Sequence, residues 1–187
     1  MTAAIGKTLV LGGVRSGKSR YAEELARRRN RPVTVIATAE ALDEEMAARI
    51  ETHRRYRDAR WRLIEEPLAL AAALRTAVSP ESLVIVDCLT VWLSNLLCGK
   101  DPDAPRRETR ALLDALSSLA GECILISNEV GFGIIPANAL ARRFGDEAGV
   151  LHQQIAADCE RVVLMVAGLP LAVKDSLPLT SGPGVPP

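Results

Sequence analysis

Lys18 and Ser19 close the run Gly12-Gly13-Val14-Arg15-Ser16-Gly17-Lys18-Ser19, which has the Gly-x-x-x-x-Gly-Lys-Ser spacing of a phosphate-binding loop. Glycines let backbone N–H groups turn inward around an anion. A helix start adds unpaired N–H groups and a positive dipole end. Lys18 is placed to reach the β and γ phosphates of a nucleotide, and Ser19 to ligate Mg2+. The apolar residues Leu9, Val10 and Leu11 precede the loop and a helix-forming stretch, residues 20–29, follows it, so the motif stands in the strand-then-helix context it requires. These residues point to a nucleoside triphosphate and leave open what is done with it.

A second candidate is Asp87. Leu83-Val84-Ile85-Val86 runs apolar into this aspartate, as in a Walker B-type strand, and the carboxylate could hold Mg2+ directly or through water beside the phosphate loop. Cys88 next to it reads as a small buried hydrophobe. A third candidate is less defined. Arg49, His53 and Arg57 recur every four residues and share one face of an expected helix over residues 41–58. Six arginines stand against Glu51 and Asp58 between positions 49 and 62. By pattern alone this is a solvated arginine face with a surface histidine.

The elements that position these residues alternate. Strands are expected at residues 7–11, 33–37, 83–87, 123–127 and 161–167, with a short extended piece at 61–65 and a short extension at 169–174. Helices are expected from the loop to about Arg29, then over 68–78, 90–97 and 106–120, the last stopped by Gly121. Residues 137–159 read as largely helical, with an interruption near Gly145 or Gly149. Residues 99–105 form the best candidate for an exposed mobile loop, and residues 128–136 an apolar, glycine-containing one. Such alternation implies a mostly parallel sheet covered on both faces. Ligands gather at the C-terminal strand ends of such sheets, so residues 12–19, 38–40, Asp87 and 128–136 should converge.

The 187 residues suffice for one compact domain, expected over 1–175, and the Pro/Gly/Ser-rich residues 176–187 read as a flexible tail. Aromatics are 3% of the chain, so the core must rest on Ala, Val, Leu and Ile. Lys+Arg and Asp+Glu are 23 each, and the zero net charge provides no global field to draw in nucleic acid. The four cysteines lack C-x-x-C spacing, which argues against zinc and thioredoxin-like chemistry. With no signal-peptide layout and no stretch apolar enough to span a membrane, the expected location is the cytoplasm.

Three activities use a phosphate loop: a small-molecule kinase, with attack at the γ phosphorus; a nucleotidyltransferase, with attack at the α phosphorus; and a switch or motor NTPase. The third is disfavoured, since the chain is short and an Asn-Lys-x-Asp run for guanine is absent.

Beyond the generic loop, Gly12 to Arg20 resembles a GGxRSGKSR block. Ile36-Ala37-Thr38-Ala39, Asp43-Glu44-Glu45-Met46-Ala47-Ala48-Arg49-Ile50, His53-Arg54 and Trp61 follow a second block, and residues 128–136 a NEVGxGIxP block. In order, and covering residues 9–174, these blocks resemble the bifunctional adenosylcobinamide kinase / adenosylcobinamide-phosphate guanylyltransferase family of cobalamin biosynthesis. The resemblance implies a P-loop NTPase-like (RecA-like) three-layer α/β fold with a mostly parallel central sheet, and a homotrimer. It implies phosphorylation of adenosylcobinamide by ATP or GTP with Mg2+, then transfer of GMP from GTP to the phosphorylated corrinoid through a guanylylated histidine. The aligned block makes that histidine His53, and here Thr52 stands where relatives often carry an adjacent second histidine. The same alignment implies nucleotide contacts at Gly12, Gly13, Val14, Arg15, Ser16, Gly17, Lys18, Ser19, Ala37, Thr38, Ala39, Arg54, Arg55, Tyr56, Arg57, Glu65 and Asp87, with Ser19 and Asp87 at the metal. Glu129 is left between orienting substrate or metal and a structural loop role, and His152 reads as structural or surface. A P-loop small-molecule kinase without guanylyl transfer is the alternative.

Overall fold

The computed structural model describes residues 6–41, 44, 48, 51 and 58–176. Seven strands form one sheet: β1 (Lys7–Gly12), β2 (Val33–Ala37), β3 (Arg62–Glu65), β4 (Leu83–Asp87), β5 (Glu122–Ile126), β6 (Arg161–Val166) and β7 (Leu169–Asp175). Their order is β3-β2-β4-β5-β1-β6-β7. All pairs are parallel except β6 with β7, which is antiparallel. One strand, β5, separates the phosphate-loop strand from the Asp87 strand, the RecA-like arrangement of a P-loop NTPase fold.

The parallel strands are apolar on both faces because helices cover both. Leu9, Ile36, Val84, Val86 and Leu125 face one way, toward α2 (Leu70–Ala77), α3 (Leu89–Cys98), α4 (Ala104–Ser117) and α5 (Ala139–Asp158). Their alternating neighbours Val10, Val35, Ile85, Ile124 and Ile126 face the other way, toward Ala22 and Ala26 of α1 (Lys18–Arg27). Trp92 is fully buried among the first set, and its indole N–H donates to the Leu68 carbonyl at 2.8 Å. The small side chains of α1 let it sit close over the sheet, which holds the start of that helix at the mouth of the phosphate loop.

Four expectations change. Gly121 does not end a helix: α4 stops at Ser117, and a Cβ on Gly121 would lie 2.4 Å from the Ser79 carbonyl oxygen. This glycine therefore allows two connections to touch at the N-terminal edge of β4 and β5. Second, α5 runs unbroken through Gly145 and Gly149. Its buried residues Ala148, Leu151, His152 and Ile155 keep helical spacing across the glycines, and packing outweighs about 1 kcal/mol lost at each. Third, α4 begins at Ala104 with Pro105 in its first turn, where a missing N–H costs nothing, so the preceding loop is shorter. Fourth, the extension after β6 is a full antiparallel strand, β7. The expected helix over 41–58 falls largely outside the described residues; Glu44, Ala48 and Glu51 are helical and exposed. Residues 177–187 of the tail also lie outside them.

Arg29, just past α1, is tied to Glu122 at the start of β5 by two bonds, Nε to Oε2 at 2.9 Å and Nη2 to Oε1 at 2.6 Å. Both side chains are more than nine-tenths buried. Removing one partner strands a buried charge, which typically costs about 3–5 kcal/mol. Glu122→Ala is expected to lower unfolding stability by that amount in urea melts; a loss under about 1 kcal/mol would show that the pair does not anchor α1.

Candidate active site

Every strand of the parallel set ends on one edge. The register places Glu65 opposite Ala37, Ala37 opposite Asp87, Asp87 opposite Ile126 and Ile126 opposite Val10. With about 4.8 Å between strands, Glu65 sits four spacings, roughly 19 Å, from β1. The expected convergence of residues 12–19, 38–40, Asp87 and 128–136 along this edge is what the register produces.

The phosphate loop leaves β1 at Gly12, whose φ of 152° favours glycine. A Cβ there would lie 2.6 Å from both the Met165 carbonyl oxygen and Ser16 Oγ. Gly17 precedes α1 in the left-handed region, at φ 95°. No side chain caps this helix start and no acidic residue occupies its first turn, so its N–H groups and dipole are left to an anion. Ser16 Oγ is the one buried side-chain oxygen or nitrogen among the described residues without a hydrogen-bond partner, and it lies inside the loop. A polar atom held there without a protein partner fits a phosphate-binding cradle. Gly13, Val14 and Arg15 are exposed at the loop tip.

Lys18 is buried, and its ammonium donates to the Gly13 carbonyl at 2.7 Å. Burial pulls its pKa below the usual lysine value, while Cys88 and the Asp87 carboxylate push the other way. The Ser19 hydroxyl donates to Asp87 Oδ2 at 3.4 Å. This pairs two hard oxygen donors beside the phosphate cradle, and such a set suits Mg2+, which binds through one or two protein oxygens plus substrate phosphates. The Cys88 thiol is pushed up by burial and by Asp87, which makes it a poor nucleophile.

Thr38 is fully buried. Its N–H donates to the Asp87 carbonyl at 3.0 Å, its hydroxyl to the Cys88 carbonyl at 2.7 Å, and the Cys88 N–H donates back to that hydroxyl at 2.9 Å. Thr38 thus locks the ends of β2 and β4 together, with the partly exposed Ala37 and Ala39 on either side. Glu65 is exposed at the end of β3. His53, Arg54, Arg55, Tyr56 and Arg57 lie outside the described residues.

Three contacts escaped the sequence reading. Asn95, on α3, donates to the Thr38 carbonyl at 2.9 Å and the Pro67 carbonyl at 3.2 Å. The Asn128 amide donates to Thr90 Oγ1 at 2.8 Å. Gly168, in the β6–β7 turn, donates its N–H to the Ser16 carbonyl at 3.0 Å and presses its Cα to 3.3 Å from where a Gly17 Cβ would be. Each partnership spans many residues and carries no local signal; only the glycine of a two-residue turn was visible in sequence.

His152 is buried on α5, with Nε2 2.7 Å from the Ser127 hydroxyl at the end of β5. Burial lowers its pKa below 6.5, and the Glu129 carboxylate opposes that shift. The unfolded chain therefore takes up a proton that the folded chain resists. The stability contributed by neutral His152 is complete above about pH 6.5 and is lost as pH falls through its lower folded pKa. His152→Gln should flatten the fall of Tm with pH just below 6.5 relative to the parent; parallel profiles would remove His152 as the responsible group.

Comparison with known proteins bears on the fold and the family. A solved structure from Pyrococcus horikoshii OT3 superposes with a TM-score of 0.56 over 93% of this chain and 88% of that one, at 7% identity, a likeness of fold alone. The bifunctional adenosylcobalamin biosynthesis protein CobP of Pseudomonas aeruginosa is 54% identical, covering 90% of this chain and 97% of its own length. The bifunctional adenosylcobalamin biosynthesis protein CobU of Escherichia coli is 40% identical, covering 89% of this chain and 98% of its own. The family model described as cobinamide kinase / cobinamide phosphate guanyltransferase matches residues 8–173. The chain belongs to the cobinamide kinase / cobinamide phosphate guanyltransferase family.

Proposed function

We propose that this enzyme phosphorylates the aminopropanol hydroxyl of adenosylcobinamide with ATP or GTP, then joins GMP from GTP to the product, giving adenosylcobinamide-GDP. The observation that carries the reading is the uncapped phosphate loop, with Ser19 3.4 Å from Asp87, in a chain that matches the family over residues 8–173.

In this reading the N–H groups of residues 13–15 and 17–19 and the Lys18 ammonium bind the triphosphate tail, while the Ser16 N–H closes the turn on the Gly13 carbonyl at 3.2 Å. Ser19 and Asp87 hold Mg2+, which neutralises phosphate charge when bound. Ala37, Ala39 and Glu65 lie along the strand ends toward β3, where the ribose and base of a nucleotide laid along the edge would fall; Thr38 shapes that surface from beneath. His53 is the nucleophile of the second reaction. A neutral imidazole nitrogen attacks the α phosphorus of GTP, forming an N–P bond, and pyrophosphate leaves. The corrinoid phosphate oxygen then attacks the same phosphorus and the N–P bond breaks. Arg49, Arg54 and Arg57 offset phosphate charge, with Arg55 and Tyr56 in the same block.

A homotrimer belongs to the proposal. Leu169, Leu171 and Val173 alternate along the edge strand β7 and are each more than half exposed, an apolar row suited to a subunit contact. Work in the cytoplasm is also proposed; among the described residues no helix is long and apolar enough to cross a membrane.

Incubation with α-labelled GTP tests the second reaction. An acid-labile, base-stable label should appear on the protein and vanish in His53→Ala; full labelling of that variant would sink the histidine intermediate. A kinase without guanylyl transfer would phosphorylate adenosylcobinamide and take no label. Lys18→Ala is expected to cut both half-reactions by about 100-fold or more, read as initial rates with saturating nucleotide. Unchanged kinase turnover in that variant would contradict its placement on the phosphates.

A further inference from the structure

We propose that Glu129 is the general base of the phosphorylation step, its carboxylate taking the proton of the substrate hydroxyl as that oxygen attacks the γ phosphorus. This rests on the kinase reading above. In the step, the hydroxyl oxygen forms a bond to the γ phosphorus and the bond from that phosphorus to the β,γ-bridging oxygen breaks. The nucleoside diphosphate leaves with the electron pair, and the hydroxyl proton passes to Glu129.

Position selects this carboxylate. Among the described residues five acidic side chains stand at or just beyond the C-terminal strand ends on this side of β1: Glu65 at the end of β3, Glu66 just past it with its Oε1 taken by the Leu68 and Ala69 N–H groups, Glu40 after β2, Asp87 on β4 and Glu129 after β5. Glu65 is four strand spacings from β1, roughly 19 Å, and Glu40 follows a strand three spacings away, roughly 14 Å. Asp87 accepts the Ser19 hydroxyl and belongs to the metal pair. Only β5 adjoins β1 on this side, and past its end the chain stays zipped to β1: Ser127 N–H donates to the Val10 carbonyl and Glu129 N–H to the Gly12 carbonyl, both at 3.0 Å. The backbone of Glu129 is therefore bonded to the first residue of the phosphate loop itself.

The side chain is held as well as placed. Glu129 Oε1 accepts the Gly131 N–H at 2.7 Å, and a Cβ on Gly131 would lie 2.9 Å from the same oxygen. Gly131 thus permits a close turn that fixes one carboxylate oxygen and leaves the other to take a proton. The residue is partly exposed, so a ligand can reach it. His152 steadies the approach through its 2.7 Å bond to Ser127, two residues upstream. The segment that follows presents Phe132, Ile134 and Ile135, each at least 80% exposed. An acceptor with a large apolar body, arriving at this carboxylate, would meet an apolar surface there instead of bulk water.

Glu129→Gln separates proton transfer from loop structure, because its amide oxygen still accepts the Gly131 N–H. With adenosylcobinamide and nucleotide, kcat for phosphorylation should fall about 100-fold or more and KM stay within about threefold. GMP labelling of the protein should persist within about threefold. Glu129→Ala, which also releases the turn, should raise KM as well. Phosphorylation within tenfold of the parent in Glu129→Gln overturns the assignment, and so does a parallel loss of labelling, which would mark a structural role. If the parent itself does not phosphorylate adenosylcobinamide, the kinase reading fails and the base fails with it; an active variant in an active parent background removes only the base.

Discussion

The space beside Gly12 is filled on both sides. A side chain there would have to share it with the Met165 carbonyl and the Ser16 hydroxyl, each 2.6 Å from the position of its first carbon. This exclusion follows from the register of β1 against β6, which sets Gly12 opposite Met165. The loop then closes between two further supports. The β6–β7 turn holds the Ser16 carbonyl through Gly168, and the continuation of β5 holds the Gly12 carbonyl through Glu129. With those carbonyls taken by the protein, the loop's amides other than that of Ser16, which donates to the Gly13 carbonyl at 3.2 Å, are left to face an anion.

From that clamp the site extends in one direction, along the strand ends toward β3. Asp87 is reached through Ser19, and Thr38 ties the Asp87–Cys88 backbone to β2. Asn95 then holds the Thr38 carbonyl from α3. Each link is a buried or half-buried hydrogen bond between elements far apart in the chain. The edge therefore behaves as one rigid rail, and a buried polar group lost from it would leave its partner unsatisfied.

Much of this frame could be read in the sequence. The strands β2 and β4 fall on the residues expected, Val33–Ala37 and Leu83–Asp87, because a strand buried on both faces is a short apolar run with clear ends. The phosphate loop and Asp87 were legible for the same kind of reason: their chemistry is carried by residue type at fixed spacing. Glycines were misread where their purpose was not local. Gly121 makes room for the Ser79 carbonyl, and Gly145 and Gly149 sit in open space on a helix whose buried face continues past them. β7 looked like a short extension because its apolar residues are exposed, and exposure on an edge strand leaves no inward pattern to find. The bonds of Asn95, Asn128 and His152 depend on which distant backbone or hydroxyl folds beside them.

Were one loop to serve both proposed reactions, it would face a mechanical problem. Attack at the γ phosphorus and attack at the α phosphorus need nucleophiles at different points along the triphosphate. A loop clamped by β5 on one side and by the β6–β7 turn on the other has no freedom to shift its grip between them. The difference must then come from what is delivered to a fixed anion. On the proposed assignments, the hydroxyl comes in beside Glu129, one strand from β1, and the histidine, His53, falls in the sequence between β2 and β3. β4 stands between β2 and β5, and on the proposed assignments its carboxylate, with the Mg2+ it would hold, would serve whichever phosphorus is attacked.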